Sequence, residues 1–164
     1  MHDILRFAQD GGMNLSDDSR IWIFGISPAL DEARGAQLLA RVDRFLSNWA
    51  AHGAPITSGR DLIEGSFLVI GVDRRSETSG CSIDRMFGLL QELERDLGVK
   101  ILDPDRIFYR GADGKVHTTT RGEFRESGDP HTRVFDVLAE RLGEVSSGRW
   151  ERPAKDSWHR QLIS

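Results

Sequence analysis

The chain has 164 residues, 38% of them hydrophobic and 29% charged, with a formal net charge of −4 and a pI near 5.7. That length suits one domain with a buried core, and the acidic balance counts against a dedicated nucleic-acid binder, which carries a basic field. A single cysteine excludes an intrachain disulfide and a multi-cysteine zinc site; no apolar run is long enough to span a bilayer, and Met1-His2-Asp3-Ile4-Leu5-Arg6 lacks the pattern of a secretory signal, so the expected location is the cytoplasm.

Residues 1–18 read as an irregular lead-in and 19–164 as a single domain. Arg20-Ile21-Trp22-Ile23-Phe24 has the bulky, β-prone character of a buried strand. Ser27-Pro28 reads as a helix start, with Ser27 as N-cap and Pro28 at the first helical position. Leu38, Val42, Phe45 and Trp49 follow at helical spacing, and Gly53 offers a left-handed stop. Residues 54–57 read as a short strand, Ser58-Gly59 as a turn and Gly65 as a further break. Ser66 to Asp73 is the clearest buried strand of the chain. After a polar loop, Ile83, Phe87, Leu90, Leu93 and Leu97 mark one face of a second helix that closes at Gly98.

Asp105 to Tyr109 reads as another strand, and Asp113-Gly114 as the turn of a hairpin returning through Val116 to Thr119. Thr120-Arg121-Gly122-Glu123 has capping-box spacing. Asp129-Pro130 reads as the start of a third helix carrying Val134, Leu138 and Leu142 inward. Trp150 to His159 is aperiodic yet too aromatic for a free tail, so it is expected to dock on the domain. This order predicts an α+β fold: a ferredoxin-like βαββαβ core with an added hairpin strand, a small C-terminal helix and a docked C-terminal segment. The alternative is an α/β fold with a mainly parallel sheet.

The leading candidate site is the run Thr78-Ser79-Gly80-Cys81-Ser82-Ile83-Asp84 at the expected start of the second helix. Unpaired N–H groups and the positive end of the helix dipole favour anions there and lower a thiol pKa. One reading is a ligand or anion site formed by Ser79, Gly80, Ser82 and Asp73, with Lys155 brought in by the docked tail. A second is a thiol enzyme with Cys81 as nucleophile, His159 or His52 as base, and Asp73 or Asp156 orienting the imidazole. A third is a structural or interaction module with Trp150 and Trp158 filling grooves. Cys81 is also explained as a small packing residue, and Asp84 as a carboxylate complementing the dipole. His117, His131 and His159 are scattered, so neither a metal nor a cofactor is expected. The partners expected are a small anionic ligand or a protein, with no nucleic acid and no membrane.

The blocks Trp49-Ala50-Ala51-His52-Gly53, Ser79-Gly80-Cys81-Ser82-Ile83-Asp84 and Pro153-Ala154-Lys155-Asp156-Ser157-Trp158-His159 resemble a family of uncharacterised bacterial proteins. The resemblance runs from about Ser19 to the C-terminus. Members of that family sometimes carry the automatic label "ABC transporter ATPase", and the resemblance implies no catalytic residue, cofactor or partner. The residues argue against the label. A P-loop needs Gly-x-x-x-x-Gly-Lys followed by Ser or Thr, so that amides, ammonium and hydroxyl meet phosphates and Mg²⁺. The nearest imitation, Gly111-Ala112-Asp113-Gly114-Lys115, has the wrong spacing and is followed by Val116.

Overall fold

In the computed structural model, which describes residues 13–163, the bulky run at Arg20 forms strand β1 (Arg20–Gly25). Helix α1 (Glu32–Ser47) follows, then a two-residue hairpin of β2 (Ala50–Ala51) and β3 (Ala54–Pro55). A second hairpin joins β4 (Ser58–Ile63) to β5 (Phe67–Val72). Helix α2 (Gly80–Leu97) leads to the hairpin of β6 (Arg106–Arg110) and β7 (Val116–Thr120), and α3 (Arg121–Ser127) follows directly. Strand β8 (Arg133–Phe135), the short α4 (Leu142–Ser146), β9 (Glu151–Pro153) and two 3-10 turns complete the chain.

The fold is α+β, and every strand pairing is antiparallel. The parallel α/β alternative is therefore overturned. One sheet has the order β1-β5-β4 and a second has the order β7-β6-β8-β9. Strand β5 lies at the centre of the first, buried at all six positions, as its unbroken apolar run requires. Its alternating side chains feed two cores. Leu68, Ile70 and Val72 join Leu38, Val42, Met86, Leu90 and Leu93 beneath the two long helices. Phe67 and Val69 face the second sheet and meet Ile21, Phe108, Phe135 and Trp150. A third cluster, Ile107, Phe124, Val134, Ala154 and Leu162, fills the far side of the second sheet. The layers thus run from helices to sheet to sheet to C-terminal segment.

A ferredoxin-like core needs a fourth strand beside β1. Residues 106–110 do not take that place: they pair with β7 and β8 in the second sheet. Two isolated bridges lie along that edge instead, Arg20 to Arg141 and Ser27 to Lys100. The Ser27–Lys100 bridge explains why Ser27 caps no helix. Its N–H donates to the Lys100 carbonyl at 2.9 Å and its carbonyl accepts the Lys100 N–H at 2.8 Å, which keeps the chain extended. Asp31 is the N-cap instead, accepting from the Arg34 N–H at 2.8 Å.

Three further expectations change. Helix α1 ends at Asn48, so Gly53 serves the β2–β3 turn together with His52, both at positive φ. Ser58-Gly59 begins β4 rather than turning, because Ser58 registers with Val72. The β4–β5 turn falls at Glu64-Gly65; a Cβ on Gly65 would sit 2.5 Å from the Leu30 carbonyl oxygen, at a φ of +65°. Lastly, Asp129-Pro130 starts no helix. Val134 pairs with Tyr109 and Arg152 in the second sheet, and Leu138 is 64% exposed.

The C-terminal segment docks as expected. Trp150 is buried, with its ring 4.8 Å from Phe67 and 5.0 Å from Phe135. Trp158 is half-buried, donates from Nε1 to Asp136 Oδ1 at 3.1 Å and lies under the Arg121 guanidinium. Of the lead-in, residues 1–12 lie outside the described residues. Residues 13–18 are irregular, with the Met13 N–H donating to Asp61 Oδ2 at 3.3 Å.

Candidate functional site

Cys81 is the second residue of α2, exposed, in the first turn of the helix. Most polar groups around it serve the helix end. The Ser79 hydroxyl accepts from the Ser82 N–H at 3.1 Å, and the Ser82 hydroxyl accepts from the Ser79 N–H at 2.8 Å and donates to the Ser79 carbonyl at 2.8 Å. This is a reciprocal capping box with Ser in place of Glu at the third position. Ser82 is buried, Gly80 and Asp84 are exposed, and the Ser82 carbonyl accepts from Trp49 Nε1 at 2.8 Å. That last bond fixes the Trp49 block against the Cys81 block. His52 stands exposed at the tip of the adjoining β2–β3 hairpin.

His159 and Lys155 are placed elsewhere. His159 is buried in the C-terminal segment, stacked on Trp158 at 3.9 Å and edge-on to Phe124 at 6.2 Å, with Nδ1 2.7 Å from the Ser157 hydroxyl. Burial pushes its pKa down to about 4; the carboxylate of Asp136 opposes that fall, and Arg121 and Arg152 add to it. Lys155 is exposed in the same segment, its N–H bonded to the Pro130 carbonyl, with Asp156 exposed beside it. These residues belong to the layer beyond the second sheet, whereas α2 covers the opposite face of the first. The structure does not bring His159, Lys155 or Asp156 to Cys81. Asp73 does reach the α2 start, but its carboxylate is taken up by Arg75, through the N–H at 2.8 Å and Nε at 3.1 Å, which lowers its pKa.

Beside that helix start lies a cleft of about 480 Å³, lined by Asp18, Arg20, Trp22, Val72, Asp73, Arg74, Ser76, Thr78, Ile83 and Arg141. Arg20 opens β1, and its Cα partner in β5 is Val72. Its partner on the other side is Arg141, across an isolated antiparallel bridge. Ile21 N–H donates to the Glu140 carbonyl and Leu142 N–H to the Ser19 carbonyl, each at 3.0 Å. These bonds flank the two arginines, so the arginines are a non-hydrogen-bonded pair, the type in which Cα atoms approach to about 4.5 Å and side chains lie closest. Arg20 lies over the Trp22 ring at 4.7 Å and donates from Nε to the Ile21 carbonyl at 3.1 Å. Arg74 pairs with Asp18, whose pKa is lowered first by the Ser16 hydroxyl and then by Arg74.

With Asp18 matched to Arg74 and Asp73 to Arg75, Arg20 and Arg141 have no carboxylate partner among the described residues. No family model, curated protein or solved structure matches this chain. Among the described residues, no group of three or more His, Cys, Asp or Glu side chains could hold a metal ion, and no helix is long and apolar enough to cross a membrane.

The arginine pair was not among the residues singled out from the sequence. Arg20 and Arg141 are 121 positions apart, and each alone is one of many surface arginines. The one local signal was Arg20 at the head of a buried strand, two positions before Trp22, which places both on the same strand face.

Proposed function

We propose that this protein binds a small anionic ligand in the cleft beside the start of α2, with Arg20 and Arg141 as the principal contacts. The observation that carries this reading is the arginine pair itself. Like charges directly opposite each other on a sheet are destabilising, and here two arginines share a cleft with no ion pair to a carboxylate among the described residues, the cleft's Asp18 and Asp73 being paired with Arg74 and Arg75. A bound anion relieves that repulsion. Thr78 and Ile83 place the positive end of the α2 dipole at the same cleft, which favours negative charge. The reading keeps the anion site expected at this helix start and moves its centre from Ser79, Gly80 and Ser82 to the arginines of the adjoining strand. Membership of the bacterial family suggested by the three sequence blocks, and a cytoplasmic setting, belong to the same proposal.

The test is titration of the whole chain with sulfate, an anion of constant charge, followed by backbone amide NMR. Saturable shifts at residues 18–22 and 72–83, lost in Arg141→Gln, support the reading. No saturable shift, or shifts unchanged in Arg141→Gln, overturns it.

A further inference from the structure

Resting on that reading, we propose that the ligand is a small phosphomonoester whose dianionic phosphate is held between Arg20 and Arg141. Among the described residues Arg20 and Arg141 form no ion pair with a carboxylate, so a ligand of charge −2 matches the two of them and a monocarboxylate leaves one unmet. The donor geometry argues the same way. Arg20 spends Nε on the Ile21 carbonyl and rests on Trp22, which fixes its plane and leaves the two terminal nitrogens as a fork. Arg141 brings a second fork from the opposing position of the bridge. A carboxylate has two oxygens and satisfies one fork, whereas the three peripheral oxygens of a phosphomonoester serve both at once.

Other lining groups fit such a ligand. Ser76 accepts the Thr57 N–H at 2.9 Å, which leaves its hydroxyl proton to donate, and the Thr78 hydroxyl lines the same cleft. Trp22, Val72 and Ile83 supply an apolar wall for the carbon part. The volume of about 480 Å³ falls within the usual small-ligand range of about 300–1,000 Å³, so a metabolite fits better than a polymer. Asp18 and Asp73 stand at the cleft as acceptors for ligand hydroxyls, and their pairing with Arg74 and Arg75 restrains their repulsion of the phosphate.

The decisive experiment is calorimetric titration of the whole chain with glycerol 3-phosphate, succinate and sulfate at pH 7.5 and 5.5. A phosphomonoester loses its second charge near pH 6, whereas sulfate stays a dianion. The protein groups facing the phosphate are Arg20, Arg74, Arg141, Asp18 and Asp73. Both carboxylates are held below their ordinary value, so neither changes the cleft's charge across this range.

The expected result is glycerol 3-phosphate binding at least tenfold tighter than succinate at pH 7.5. Its affinity should weaken about fourfold at pH 5.5, the change in dianion fraction for a group titrating near 6, while sulfate stays level. Arg141→Gln and Arg20→Gln should each cost at least tenfold, and Arg141→Lys, which keeps the charge and loses the fork, an intermediate amount. Succinate or sulfate binding as tightly as glycerol 3-phosphate, with the arginine dependence intact, overturns the phosphomonoester and leaves the anion site standing. No arginine-dependent binding of any of the three removes both.

Discussion

His159 should make stability depend on pH in a window where few other groups act. Its folded pKa is about 4 against an ordinary value of 6.5, and it is only 1% exposed. The sign follows from proton binding. Between those two values the unfolded chain holds a proton on this imidazole and the folded chain does not, so stability falls as pH falls. Above pH 6.5 neither state is protonated and the full stability is present; the loss is complete once pH passes below the folded value. At about 1.4 kcal/mol per pH unit, the whole effect is on the order of 3 kcal/mol, of which about 2 kcal/mol should appear by pH 5. Asp18, Asp73, Asp113, Glu123 and Glu151, all held below their ordinary range, begin to contribute only at lower pH. The assay is urea unfolding at pH 7.5, 6.5, 5.8 and 5.0 for the native chain and for His159→Phe, which keeps a ring against Trp158 and Phe124. The native curve should fall by about 2 kcal/mol more than the variant. A direct reading comes from the ring proton shifts of His159 in the native chain. A titration midpoint at or above 6.5, or parallel pH curves for the two proteins, refutes the argument that burial controls this group.

Two further outcomes are expected. Trp150→Ala should destabilise by about 4 kcal/mol, because it empties a site bounded by Phe67 and Phe135; thermal unfolding should show a Tm drop of about 10 °C, and a drop of only a degree or two would mean that the C-terminal segment contributes little to the core. Ser79→Ala should cost about 1 kcal/mol by removing the α2 cap while leaving sulfate affinity within twofold; a large loss of affinity would return the site to the helix cap.

What the sequence disclosed was local. Strand β5 was visible because a six-residue apolar run has few alternatives. The α2 end at Gly98 was visible because its φ of +66° suits glycine, and the capping box at Thr120 because Glu123 lies three residues on and closes it. The misreadings share a cause. Val134, Leu138 and Leu142 recur every four residues, as a helix face would, yet each answers to a different neighbour. Val134 is fixed by cross-strand pairing, Leu138 is in solvent, and Leu142 joins the Ile21 cluster. Residues 106–110 read correctly as a strand, but a strand pattern carries no information about which sheet receives it. The second sheet claims β6 because Phe108 and Ile107 point to opposite cores, one against Phe67 and one against Phe124 and Val134.

The cleft escaped the sequence for the same reason in a stronger form. Its walls come from residues 18–22, 72–78, 83 and 141, and the pairing that makes it chemically distinctive is a single bridge outside any regular strand ladder. A bridge of two backbone bonds does not require arginine at either end; neutral residues would pair there without mutual repulsion. Elsewhere the fold shows how arginines are held when their role is structural. Arg110 lies between Glu64 and Glu151 with bonds of 2.9–3.0 Å to each, over the Phe135 ring. Arg60 meets Asp43 at 2.7 Å, and Arg41 meets Glu92 and Asp96 at 3.0 Å. On a chain of net charge −4, carboxylates to neutralise Arg20 and Arg141 were plentiful. Other arginines at the surface also lack an ion pair; what sets Arg20 and Arg141 apart is that they stand opposite each other across a bridge and line one cleft with no carboxylate partner among the described residues, and that juxtaposition is the physical ground for assigning a negative charge to a ligand.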